Sequence, residues 1–231
     1  MDRMKWMAAG FTFTIVALFA PLYGAEVEQR FFRIDAAGKP AGELLMKIAT
    51  QDSGGHVVEV RASRSARLLA GTWRSGCHAI ETWKAGRLQK FDAAIDTDGK
   101  KRTISAAPKE GKLRVLINDK RQDARLDVWT TSFWTLPANV ARQQSVALFD
   151  VHTGAERAGQ LEYIGVETLT AAQQQLTAAH YRLRGEGIRA DLWYDGLDRL
   201  VRAIVSEGDQ TWSLELTGVA RNKENANGKR E

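Results

Sequence analysis

From Val27 to Gly218 the chain alternates apolar and polar residues with a period of two, interrupted at short intervals by Gly, Asp, Asn and Pro. Such alternation puts successive side chains on opposite faces of extended strands. In "ELLMKIAT", Leu44, Met46 and Ile48 share one face, while Glu43 and Lys47 take the other. "QTWSLELTG" repeats the pattern, with Trp212, Leu214 and Leu216 set against Thr211, Ser213 and Glu215. Between such runs, "AAGKPAG", "DTDGK", "PKEGK", "DKRQ" and "TGAER" offer residues for which positive φ is cheap or a side chain can cap the turn. "TAAQQQ" reads as a polar connection. Strands recur roughly every 8–14 residues, the spacing of sandwiches and barrels. The expectation is an all-β domain, one large curved antiparallel sheet or half-open barrel. One segment breaks the period: "TTSFWTLPANVARQQ", residues 130–144, reads as one short helix capped by Thr131 or Ser132, or as a loop. Pro137 would be tolerated only in the first turn of that helix.

Residues 1–25 stand apart from this pattern. Arg3 and Lys5 precede the apolar run "AAGFTFTIVALFA", and Gly24 and Ala25 follow it. The run holds about 13 residues, short of the ~20 that span a bilayer. It reads as a secretory signal peptide cut near Ala25, the alternative being an uncleaved anchor. The expected location is the periplasm of a Gram-negative-type bacterium, or outside the cell. The roughly 200 residues that follow suit a single β-rich domain over 26–219. Residues 220–231, ending "RNKENANGKRE", read as a disordered polar tail. Cys77 is the lone cysteine, so no intramolecular disulfide forms, and a small buried hydrophobe is the simplest reading of it. The formal net charge of +5 is spread along the chain without a basic stripe interleaved with aromatics. Nucleic acid is therefore not an expected partner, while weak contact with anionic membrane surfaces is allowed.

Catalytic and metal-binding signatures do not emerge. His56, His78, His152 and His180 are scattered, without H-x-H, H-E-x-x-H or C-x-x-C spacing. Cys77 and His78 are neighbours on an expected strand and point to opposite faces. Neither a G-x-S-x-G elbow nor a phosphate loop occurs. Asp98-Gly99 reads as a hairpin turn rather than as part of a calcium loop. Asp191 and Asp195 would stand roughly 13 Å apart along a strand. That exceeds the ~5–9.5 Å of paired glycosidase carboxylates. No cofactor or metal is expected, and the protein reads as non-enzymatic.

Aromatics carry the remaining signal. Two hairpins share a grammar: "ETWKAGRLQKFDAAIDTDGKKRTI" and "DLWYDGLDRLVRAIVSEGDQTWSL" both run acidic, any, Trp, then Gly, Arg-Leu and an apolar strand. This suggests a pseudo-repeat, with each Trp covering a sheet end before a turn. Trp73 and Trp83 are two of the indoles. Trp129, Phe133, Trp134, Tyr181, Trp193 and Trp212 either fill the core or line an apolar cavity at the mouth of the curved sheet. On the second reading they are the ligand-binding residues, and Trp134 contributes more to affinity than to stability.

Four stretches carry a family resemblance: "ETWKAGRLQKFDAAIDTDGK", "TSFWTLP", "LFDVHTG" and "AAHYRLRGEGIRADLWYDGLDRLVRAIVSEGDQTWSLEL". Their order over about residues 27–218 resembles a family of secreted bacterial proteins classified only as a domain of unknown function. The layout is similar to periplasmic sheets of the lipoprotein-carrier type, which wrap apolar cargo. The resemblance implies no catalytic residues. It implies a binding protein for a lipid or an acylated protein in a half-barrel. The alternative is a structural or assembly partner of the cell envelope with a filled core. A hydrolase-type enzyme ranks third.

Overall fold

A computed structural model describes residues 26–68, 71–137 and 144–223. The expected signal peptide and residues 224–231 lie outside the described residues. The first strands are β1 (Glu26–Ala36), β2 (Lys39–Thr50), β3 (His56–Leu68), β4 (Gly71–Lys84) and β5 (Arg87–Thr97). They are followed by β6 (Lys100–Lys109), β7 (Lys112–Ile117), β8 (Lys120–Ala124), β9 (Val128–Thr130) and β10 (Gln144–Phe149). The last are β11 (Glu156–Ala171), β12 (Gln174–Gly185), β13 (Ile188–Tyr194), β14 (Leu200–Glu207) and β15 (Gln210–Lys223).

All fifteen strands join one sheet, in the order β8 back to β1, then β15 back to β9. Each neighbouring pair is antiparallel except β9 and β10. The first and last strands pair in the middle of the sheet, from Glu26 opposite Lys223 to Ala36 opposite Trp212. Residues Ala220–Lys223 therefore belong to β15, which corrects the expected start of the polar tail: a strand partner, not apolar content, orders them. The two outer strands, β8 and β9, are consecutive in the chain, so the sheet curls until its edges meet. Side chains close the seam rather than a backbone ladder. Gln122 Nε2 donates to Gly154 O over 2.6 Å, and the Arg125 backbone N–H donates to Glu156 Oε2 over 2.8 Å. "DKRQ", read as a turn, contributes to this edge strand β8 after a tight turn at Asn118 and Asp119. Its exposed charges suit a sheet edge.

The interior holds one large apolar core, with Met46, Phe91, Leu113, Leu148, Leu161 and Leu192 fully covered, and a smaller separate cluster of Ile34, Ala41 and Trp212. Each such side chain contributes ~1.5–3 kcal/mol on burial. Phe91 of β5 meets Phe149 of β10 edge-to-face at 5.0 Å, which shows how far the sheet has curled.

The expected helix over 130–144 is not formed in its described part: residues 131–137 are irregular, and 138–143 lie outside the described residues. Phe133 sits at φ 51°, which ends any helical run there, and the hydroxyls of Thr131 and Ser132 are engaged elsewhere. Instead, β9 continues into a loop that folds back across the interior. Thr135 bridges to Arg199, and the Leu136 N–H donates to Asp198 O. The loop fills the end of the barrel that carries the turns at 51–55, 85–86 and 195–199. The opposite end carries the turns at 98–99, 150–155 and 208–209 and is more open. We refer to them as the closed and open ends.

The two Trp hairpins share grammar but not phase. Trp83 points inward and donates its Nε1 proton to Glu81 two residues back, over 2.8 Å. Trp193 alternates with the inward Leu192 and Tyr194 and takes the outer face beside Asp191. The β4–β5 turn is Ala85-Gly86, both at positive φ, whereas the β13–β14 connection runs from Asp195 to Arg199.

Candidate functional site

β3 turns Val58, Val60, Ala62 and Arg64 inward, and β4 turns Ser75, Cys77, Ala79 and Glu81 inward. Toward the closed end these positions are sealed. Glu81 is fully buried, and its Oε2 accepts from Trp83 Nε1 and, over 2.9 Å, from the Thr130 hydroxyl. Its Oε1 has no hydrogen-bond partner among the described residues. Burial pushes the carboxyl above its usual range, against the hydrogen bonds from Ser132, Trp83 and Thr130 that lower it.

Toward the open end the same strands border a chamber of about 90 Å3. Its walls are apolar, with Ile34, Leu44, Val60, Val205 and Leu214 among them, and Thr131–Phe133 form its floor. Ala62, Arg64 and Cys77 line the chamber at its open-end neck. Behind them, on the outer face of the same strands, Arg61, Arg74 and His78 line a groove of about 990 Å3.

Arg64 dominates the neck. Its guanidinium carbon lies 5.6 Å from the ring centre of Trp73 and 5.2 Å from that of Trp212. Both contacts are within cation–π range. Its Nη2 stands 3.0 Å from His152 Nε2. A guanidinium only donates, so Nε2 accepts and the imidazole is neutral, with its proton on Nδ1. Burial, and then the Arg64 charge, push the His152 pKa down to about 4. No described carboxylate comes within 4.0 Å of the Arg64 nitrogens. Glu207 lines the chamber, its carboxyl raised by burial and by Asp150 against the opposing pull of Arg64 and Arg157. It and Asp150 are the carboxylates that act on Arg64 at longer range. The Cys77 thiol is pushed up to about 12 by burial, so it remains a neutral, unreactive group.

The turn "DVHTGA" places His152. Asp150 Oδ1 accepts from the backbone N–H of His152 over 2.8 Å and of Thr153 over 3.0 Å, and Oδ2 accepts from Arg157. Arg102 Nη1 donates to His152 O over 2.9 Å. Gly154, at φ 75°, packs so tightly on β6 and β7 that a Cβ would lie 2.9 Å from Ile117. The turn is thus fixed from both sides of the seam.

Of the six aromatics expected to bind ligand, Phe133 and Trp212 line the chamber. Trp129 packs on Phe133 at 5.0 Å and donates Nε1 to Thr135 O, holding the loop together. Trp134 turns to the closed end, against Trp83, His56 and the guanidinium of Arg199. Tyr181 is half-buried and meets Tyr194 and Tyr163. Trp193 lies on the outer face, stacked on His180 at 4.2 Å and donating to Glu167. His180 itself is held between Glu167 and Asp191. The residues missed are Arg64, Trp73, His152 and Glu207. The phase of β3 carried a signal for the first: Val58, Val60 and Ala62 place Arg64 on the apolar face.

The fold is that of known proteins. A crystal structure described as a beta-barrel-like protein of domain of unknown function DUF1849, from Brucella abortus, superposes with a TM-score of 0.61 at 11% identity. The match covers 87% of this chain and 99% of that one. No curated protein matches the chain. Residues 32–217 match the model of the family described as domain of unknown function DUF6134, and the chain belongs to that family.

Proposed function

We propose that the protein is a non-enzymatic periplasmic β protein that binds a hydrophobic ligand, a lipid or acyl group, in the open end of its barrel. The observation that carries this reading is the chamber: an apolar space inside the sheet with Arg64 at its open end. Apolar walls with a few converging polar groups are the usual make-up of a small-molecule site. The non-enzymatic part rests on the chemistry of the neck, where the thiol is protonated and the imidazole is neutral and tied to Arg64. The export signal expected in residues 1–25 supports the location.

Mass spectrometry of organic extracts tests the proposal, on protein purified from periplasm without detergent. A stoichiometric apolar molecule is the expected result. Leu214→Trp, which fills the chamber from β15, should abolish its recovery while the variant remains folded. Equal recovery from the variant would move the ligand out of the chamber. The filled closed end supports a second reading, a structural or assembly partner of the envelope. That reading gains if the extract is blank and envelope crosslinking captures a defined protein through the rim.

A further inference from the structure

Arg64 is the cation of the open end that a purely apolar ligand leaves unexplained. Its guanidinium lies against the paired indoles of Trp73 and Trp212 in a half-buried side chain, and it cannot lose its charge. It also meets the neutral His152, while Glu207 and Asp150 act on it without a carboxylate oxygen within 4.0 Å. A partly desolvated cation without a contact ion pair is costly, and a bound anion would relieve that cost. The guanidinium fork matches carboxylate and phosphate oxygens. Arg64 lines the apolar chamber with Leu44, Val205 and Leu214, so an anion on its guanidinium can leave an apolar chain in that space.

We infer that the ligand is a single-chain anionic amphiphile, its carboxylate or phosphate on Arg64 at the neck and its alkyl end in the chamber toward Phe133. This rests on the reading that the open end binds a hydrophobic ligand, and it adds the head group and the orientation. The chamber of about 90 Å3 sets the chain. It is smaller than the ~150 Å3 cavity that admits benzene, so it takes one short alkyl end and excludes a pair of chains.

The test compares hexanoate, hexyl phosphate and hexanol on the exported protein, by calorimetric titration. The three share one chain and differ in the head. At least one anion should bind tenfold or more tighter than hexanol, and the stronger anion names the source as carboxylate or phosphate. Acetate and inorganic phosphate should bind at least tenfold more weakly than their hexyl counterparts. Arg64→Met should erase the preference for the anion and leave hexanol affinity within about twofold. If wild-type protein binds hexanol as tightly as both anions, the head-group assignment falls while the hydrophobic-ligand reading stands. If inorganic phosphate or acetate binds as well as its hexyl form, the site is an anion site and the amphiphile is overturned. If none of the hexyl compounds binds, both readings fall together. The wild-type comparison decides the matter even where Arg64→Met fails to fold.

Discussion

Two arginines, a buried one at the closed end of the barrel and a half-buried one at the open end, are held in opposite ways. Arg30 of β1 serves the closed end: its Nε donates to Glu28, its Nη2 to Asp195, and its Nη1 to Leu200 O over 2.9 Å. Arg64 of β3 serves the open end, with indole rings and a neutral imidazole in place of carboxylates. The first is a finished ion pair that ties the β13–β14 turn to β1. The second has no described carboxylate in contact, with Glu207 and Asp150 acting on it only from a distance. Glu81 sharpens the contrast, since a buried carboxyl can neutralise itself by holding a proton and a guanidinium cannot. Among the described residues the closed end thus pairs its buried guanidinium internally, though Glu81 Oε1 and Trp134 Nε1 lack partners there, whereas the open end leaves Arg64 without a contact ion pair.

The largest effects should fall at the closed end. Trp134 is 2% exposed and packs on Trp83, His56 and Arg199. Trp134→Ala should cost ~3–5 kcal/mol in urea unfolding, the usual loss for a buried indole. Ligand recovery per folded molecule should not change, because the ring faces away from the chamber. A loss below ~1 kcal/mol would mean that the loop does not seal this end.

Arg30→Met comes next. Breaking a buried ion pair from one side costs ~3–5 kcal/mol. Glu28 and Asp195 keep 13% and 21% of their side-chain exposure, so the lower figure is expected. A matching loss in Arg64→Met would erase the contrast between the two ends.

A smaller effect tests the imidazole that orients Arg64. His152 has its folded pKa near 4, below its ordinary 6.5. A depressed folded value means that its contribution is complete above the unfolded pKa and is lost as pH falls from about 6.5 toward 4. His152→Gln should lose ~1 kcal/mol at pH 7 for the Arg64 hydrogen bond and flatten the stability curve across that window. Chemical denaturation at stepped pH reads both. An unchanged slope would place the imidazole in solvent. Arg64, Arg102 and Asp150 face it in both proteins, and because Asp150 and His152 act on each other the slope reads the pair rather than the imidazole alone.

Much of this contrast was legible in the chain, and where it was not the reasons are local. Alternation located the strands because one face of each is buried, and Asp98-Gly99 marked its turn because both residues take positive φ there. Ala172 and Gln173 make an equally tight turn, at φ 48° and 62°, with residues that give no such signal. "TTSFWTLP" resembles a capped helix start, yet Thr130 and Ser132 serve the buried Glu81 and Phe133 reverses the chain. The Trp hairpins looked equivalent because their letters repeat. The inward phase of β13 falls on Leu192 and Tyr194, so Trp193 was assigned to a cavity it does not face. Only two of the six aromatics reach the chamber, because composition reveals ring content and not the phase of the strand that carries it.

The smallest stability change is expected from Arg64→Met, and its smallness is the point. Removing the guanidinium forfeits two cation–π contacts, each worth about 0.5–1 kcal/mol at partly exposed sites. It also leaves His152 Nε2 without its donor, at ~1 kcal/mol. Against these stands the relief of a half-buried cation without a contact ion pair, worth less than the several kcal/mol of a fully buried ion. The terms nearly cancel, so unfolding free energy should move by no more than about 1 kcal/mol in either direction. The two proteins should part only in the presence of an anionic amphiphile. At 100 times its Kd the ligand stabilises the wild type by ~2.7 kcal/mol through mass action, and the variant gains far less. A loss of more than ~3 kcal/mol without ligand would make Arg64 a structural group like Arg30, and the open end would then have no charge left to offer.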